Sequence, residues 1–133
     1  MRNILKLAVV LVFFAGSIYS CTKENEESAT IIGKWKYVKC VYPFGNKLYD
    51  YSQYNIVYEF KPNNILAISG ETHIENYVGH EIGKHFYSLG DFSDGRNLKI
   101  DDYSIYWCRI FSNELEIDLT PVDGGMYKFV RLK

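Results

Sequence analysis

His73, His80 and His85 fall within thirteen residues, interleaved with Glu71, Glu75 and Glu81, and imidazole with carboxylate is a donor set that zinc accepts. The spacing matches no helical His pair and no Cys/His knuckle. On an extended chain, odd and even offsets point to opposite faces, so solvated loop and strand side chains are the better account and no metal is expected. The run GDFSDG at 90–95, with Asp101 and Asp102 nearby, offers carboxylates to calcium. It lacks the alternating oxygen ligands and distal Glu of a calcium loop, and reads as a turn built on Asp and Gly. Neither Cys40 nor Cys108 has a His close in sequence, no Ser sits in a nucleophile elbow, and the adjacent pairs Glu26-Glu27 and Asp101-Asp102 diverge on an extended chain. No enzyme and no cofactor are therefore expected. Trp107 with Arg109 is the most chemically suggestive pair left: on an inner face they would suit an acidic or planar ligand.

The alternation of apolar side chains decides what positions these groups. Beyond residue 30 no convincing segment has helical period, while short runs alternating in twos recur between turn signals. They are 32–42 (IGKWKYVKCVY), ended by PFGN; 54–60 (YNIVYEF) and 65–69 (ILAIS), a hairpin across KPNN; and 71–78 (ETHIENYV) after Gly70. Then come 84–89 (KHFYSL), 97–100 (NLKI) after Asp94-Gly95, 103–111 (YSIYWCRIF) and 114–120 (ELEIDLT) across Ser112-Asn113, and 126–133 (MYKFVRLK) after Gly124-Gly125. In ELEIDL, Leu115, Ile117 and Leu119 should face inward while Glu114, Glu116 and Asp118 face water. Eight or nine short strands with no helix to cover a face predict an all-β fold, a small antiparallel up-and-down β-barrel that removes its edges by closing; a two-sheet β-sandwich is the alternative. If Trp35 points inward so should Tyr37, and period two puts Ile56, Tyr58 and Phe60 on the inner face. Tyr37, Tyr58, Phe60, Trp107 and Arg109 are thus the candidate ligand-binding residues. A barrel of this size has room for one small ligand, or only for its own side chains.

Residues 1–20 are of another kind. Arg2 and Lys6 precede ten residues without a polar side chain, LAVVLVFFAG at 7–16, the layout of a secretory signal peptide and short of the roughly 20 apolar residues a spanning helix needs. Ile18-Tyr19-Ser20-Cys21 resembles the lipobox of bacterial lipoproteins. The resemblance implies cleavage before Cys21, acylation of its thiol and attachment to a membrane by two or three acyl chains, far firmer than one chain allows. Residues 21–30 (CTKENEESAT) are too polar to offset their ordering entropy and read as a flexible acidic tether. Their lysine-then-acidic composition resembles the export signal of some Gram-negative lipoproteins, implying the surface-exposed face of the outer membrane.

The remaining 31–133 is one domain, expected to be a monomer. Without residues 1–20 the chain carries 13 basic and 16 acidic residues, a net charge of −3, with the basic ones scattered. Nucleic-acid binding through phosphates has no support in that pattern. The same 113 residues hold 11 Tyr, 6 Phe and 2 Trp, which a sheet accommodates best. Cys40 and Cys108 could form a disulfide closing a loop of about 70 residues, worth on the order of 4 kcal/mol, or remain two thiols in strands.

Three stretches resemble one family in order along the domain: GKW at 33–35, YEFKPNNIL at 58–66 and YKFVR at 127–131 are similar to the first strand, second strand and turn, and closing strand of small bacterial lipocalin-like domains. The resemblance implies that Gly33 opens the first strand, that Trp35 plugs the narrow end of the barrel, and that Arg131 stacks on it, a contact worth about 0.5 to 2 kcal/mol. It further implies a small hydrophobic or amphipathic ligand inside. Larger lipocalins have longer strands and a flanking helix that this chain cannot supply, so a shallow cavity is expected. The other reading is a cell-surface interaction module with a filled core that binds glycan or protein through exposed aromatics, and an enzyme ranks last.

Overall fold

Among the described residues nine strands wind into one antiparallel sheet whose first and last members pair with each other. A computed structural model describes residues 30–71, 73–92, 95–102, 104–119 and 124–133; residues 1–29, on which the expectations of a signal peptide, of acylation at Cys21 and of a tether fall, lie outside the described residues. The strands are β1 (Gly33–Tyr42), β2 (Lys47–Asp50), β3 (Val57–Phe60), β4 (Ile65–Ser69), β5 (Gly83–Phe92), β6 (Gly95–Ile100), β7 (Ser104–Ile110), β8 (Glu114–Asp118) and β9 (Met126–Arg131). β1 pairs with β9 from Trp35↔Arg131 to Val41↔Met126, closing the barrel and leaving no open edge along that seam.

One edge of β1 is shared. β3 takes Gly33 to Lys36, and β2 takes Lys39 to Tyr42. Between them the Tyr37 N–H donates to Ile56 O at 2.9 Å and the Tyr51 N–H to Val38 O at 2.8 Å, so β2 and β3 act as one interrupted stave of an eight-stave barrel. β2 was not expected from the sequence, because Lys-Leu-Tyr-Asp is short and faces solvent at three of its four residues. Conversely, of the expected strand 71–78 the described residues, 71 and 73–78, belong to no strand. Gly70 at φ 145° and Asn76 at φ 57° interrupt the extended chain, and the loop's polar backbone groups find partners other than a neighbouring strand.

Inward-facing residues obey period two with one informed exception. Trp35, Tyr37 and Cys40 are all buried although the last step is three residues. A bulge at Val38, where the register against β9 passes from Tyr37↔Phe129 to Lys39↔Lys128, absorbs the extra residue and returns Cys40 to the inner face. Leu115 and Ile117 face inward as expected. The core runs from Trp35, Phe60, Leu66, Leu115 and Phe129 at one end to Tyr37, Tyr51, Tyr106 and Tyr127 toward the other.

Candidate functional site

The end holding Trp35 is shut by backbone as well as by rings. Its indole Nε1–H donates to Ile31 O at 2.7 Å, and the Arg131 guanidinium lies over the indole with its carbon 4.0 Å from the ring centroid. The same guanidinium donates to Ser112 O (3.0 Å), Ile32 O (3.1 Å) and Thr30 O (2.6 Å), tying the strand entrance, the β7–β8 turn and the chain's last strand together. Gly33 fits beneath it: its φ is +127°, and a Cβ there would stand 3.2 Å from Arg131 Nη1. The structure therefore brings Gly33, Trp35 and Arg131 together.

Tyr37, Tyr58 and Phe60 lie inside the barrel, fully or almost fully buried. Trp107 and Arg109, expected to face the same interior, are on the outer surface. Both faces of β7 carry apolar side chains, so its sequence did not fix its parity. Pairing with Leu98 and Ile117 turns Tyr106 and Cys108 inward, which leaves Trp107 48% exposed. Arg109 instead joins an exterior ladder, 3.1 Å from Asp118 Oδ2 and 3.5 Å from Glu116 Oε2, with Lys128 Nζ 2.9 Å from Glu116 Oε1.

At the end opposite Trp35, the loop joining β4 to β5 lies across the barrel and is gripped by phenols. Tyr37 donates its hydroxyl to Val78 O at 2.6 Å. Tyr51 donates to Asn76 O at 3.0 Å and accepts from the Val78 N–H at 2.8 Å. Tyr58 accepts from the His80 N–H at 3.0 Å, and Tyr77 donates to His80 O at 2.8 Å. Their rings pack on one another, Tyr37 lying 5.0 Å from Tyr51, 5.8 Å from Tyr58 and 5.8 Å from Tyr127, and stacking on Phe129 at 4.9 Å. Among the described residues no buried side-chain nitrogen or oxygen lacks a hydrogen-bond partner. Beside this plug, Glu71, Ile74, Tyr77, Glu81 and Ile82 line an open groove of about 270 Å³.

Two histidines fix the plug's far end, and neither is the solvated residue expected of it. His80 is largely enclosed, its Nε2 2.7 Å from the Tyr106 hydroxyl and its Nδ1 3.3 Å from that of Tyr58. Burial, helped by the nearby His85, pushes its pKa down to about 4, so it is neutral at physiological pH. His85 has Nδ1 2.6 Å from Asp101 Oδ2 and Nε2 2.8 Å from Glu81 O. A carbonyl and a carboxylate both accept, so the site suits an imidazolium, which donates from both ring nitrogens. Burial works against that charge, but the hydrogen bonds to Asp101 and Glu81 O outweigh it and hold the pKa above its ordinary value. The hydrogen bond from His85, together with the Phe86 N–H at 2.9 Å, lowers the Asp101 carboxyl. His73 is exposed.

The phenols stay protonated, since burial raises the pKa of Tyr37, Tyr51, Tyr58 and Tyr127 alike. Cys40 and Cys108 are buried as thiols, not as a disulfide, and burial pushes the Cys40 thiol up to about 11. What the arrangement can do at neutral pH is offer neutral hydrogen-bond donors and acceptors on an aromatic wall. Tyr51, Tyr77, Tyr106, Tyr127 and His80 were not singled out as ligand-facing from sequence. A signal did exist in the unusual Tyr content, but assigning those rings to one end requires the register. Comparison with protein-family models, curated proteins and solved structures finds no match.

Proposed function

We propose that this chain is a membrane-anchored, lipocalin-like lipoprotein whose barrel receives a small hydrophobic or amphipathic ligand at its tyrosine-lined end. Acylated Cys21 would hold it at the outer membrane, and residues 21–30 would keep the barrel clear of the lipid. The observation that carries the reading is the convergence of Tyr37, Tyr51 and Tyr58 on a segment that belongs to no strand, so that the groups they bind can be exchanged without breaking the sheet. Phenols supply both what an amphipathic ligand requires, an apolar ring and a polar tip. Native mass spectrometry of the intact protein released from detergent, against a panel of long-chain acids, amides and sterol-like molecules, should give a 1:1 complex with at least one member. A panel without any complex refutes the reading.

A second reading, surface recognition of glycan through aromatics, is favoured by one observation: Ile105 and Trp107 stand 61% and 48% exposed on the outer face of β7. Binding on a glycan array that disappears with Trp107→Ala would select it, and an unchanged array would dismiss it.

A further inference from the structure

In the closed barrel the place for a ligand is already taken by part of the chain itself. We propose that the segment Asn76–His80 is a built-in surrogate ligand, and that the molecule it stands in for is a peptide read through its main chain. The inference rests on the ligand-binding reading above and names the ligand's class. Tyr51 donates to Asn76 O and accepts from the Val78 N–H, Tyr37 donates to Val78 O, and Tyr58 accepts from the His80 N–H. Three phenols thus satisfy main-chain amide groups of Asn76, Val78 and His80, groups that in a β-sheet the backbone of a neighbouring strand would satisfy. No side chain of the segment is needed for these four bonds. Gly79 keeps the approach close, since a Cβ there would lie 2.6 Å from the Tyr77 hydroxyl and 3.1 Å from that of Tyr58.

The barrel does not depend on this segment for closure: Ser69 already pairs with Val57, and Gly83 with Ile68, so its ends enter the sheet side by side. A plug held by hydroxyl contacts and flanked by paired strands can leave while the sheet remains.

Two measurements test the proposal. In the intact protein in detergent, the Val78 and His80 amides should exchange hydrogen at least about a hundredfold faster than the paired amides of β1 and β9, reporting a local opening. Exchange of both together with the barrel, by global unfolding only, overturns the proposal. Second, Glu71–Ile82 is replaced by a short Gly/Ser link and an N-acetylated, C-amidated peptide of sequence HIENYVGHE is titrated calorimetrically. The replaced barrel should bind the peptide, with about fivefold loss on Tyr51→Phe, and the intact protein should bind it at least tenfold more weakly. A folded replaced barrel that ignores the peptide overturns the proposal; if it still takes members of the hydrophobic panel, only the amide assignment fails, and if it takes neither, the ligand-binding reading fails with it. Should the replaced chain not fold, the exchange measurement decides.

Discussion

Acidification should release the plug, and His80 sets how strongly. In the closed barrel its ring meets Tyr58 from β3, Tyr106 from β7, Tyr127 from β9 and His85 from β5, with Asp101 behind His85. None of the groups packed on the ring is an anion; burial and His85, its ring centroid 6.1 Å away, disfavour a proton there, and Asp101 behind His85 offsets them only in part. Folded His80 therefore titrates near 4, while a freed histidine titrates near its ordinary 6.5. Between those values the open state binds more protons, so closing is favoured at high pH and weakened as pH falls. The full difference is about 3 kcal/mol, and about 2 kcal/mol of it is lost between pH 7.5 and pH 5, equivalent to roughly a thirtyfold rise in the opening constant.

His85 has the opposite sign. Its pKa is raised, so its contribution is fully present below the unfolded value and is lost as pH rises through the folded one. Global melting mixes the two, whereas local opening can leave the His85–Asp101 pair of β5 and the β6–β7 turn in place. The assay is therefore hydrogen exchange at the Val78 and His80 amides, corrected for intrinsic rates, over this pH range. His80→Gln, which does not titrate, should flatten the dependence. Protection that changes less than about threefold, or an equal slope in His80→Gln, would mean that His80 does not govern the opening.

Other perturbations separate the parts of the barrel. Arg131→Ala removes a cation–π contact and three hydrogen bonds to carbonyls, and should lower stability by about 2 to 4 kcal/mol in urea denaturation, with Arg131→Lys recovering less than half. Gly33→Ala forces a side chain into φ +127° against Arg131 and should cost about 1 to 3 kcal/mol by the same assay. Gly79→Ala should act locally, cutting protection of the Val78 and His80 amides at least about tenfold while leaving those of β9 unchanged. Phe129→Ala, emptying a buried site stacked on Tyr37, should cost about 3 to 5 kcal/mol, whereas Trp107→Ala on the outer face should cost less than about 1 kcal/mol.

The barrel was legible because most strands advertise one apolar face: YNIVYEF and the first four residues of ELEIDL show which residues turn inward, whereas Asp118, expected to face water, is buried beside Arg109, and Leu119, expected inward, lies beyond the strand half-buried. β7 was not, since Ile105-Trp107 and Tyr106-Cys108 are equally apolar sets. Only the partner residues Leu98 and Ile117 choose between them. The stretch 71–78 misled for a related reason. Its alternation of polar with apolar residues is that of a strand, but Asn76 adopts a left-handed conformation and the segment's amides are taken by phenols. The enclosed state of His80 and the charged state of His85 depend on contacts across 26 and 16 residues, to Tyr106 and Asp101, which no local pattern encodes.

The distribution of aromatics along the barrel axis then has a physical cause. At the Trp35 end the polar tips of Trp and Arg are spent on carbonyls that the ladder leaves over, those of Thr30, Ile31, Ile32 and Ser112. At the other end, buried phenols also require partners, and the strands' own amides are committed to each other. A segment excluded from the ladder has N–H and C=O groups to give, and the tyrosine-rich wall satisfies such a segment out of water. Plug and phenols are therefore two halves of one solution. Replacing Tyr51 by Phe would leave Asn76 O and the Val78 N–H without their partner, and the plug would have to seek water, which opens the mouth.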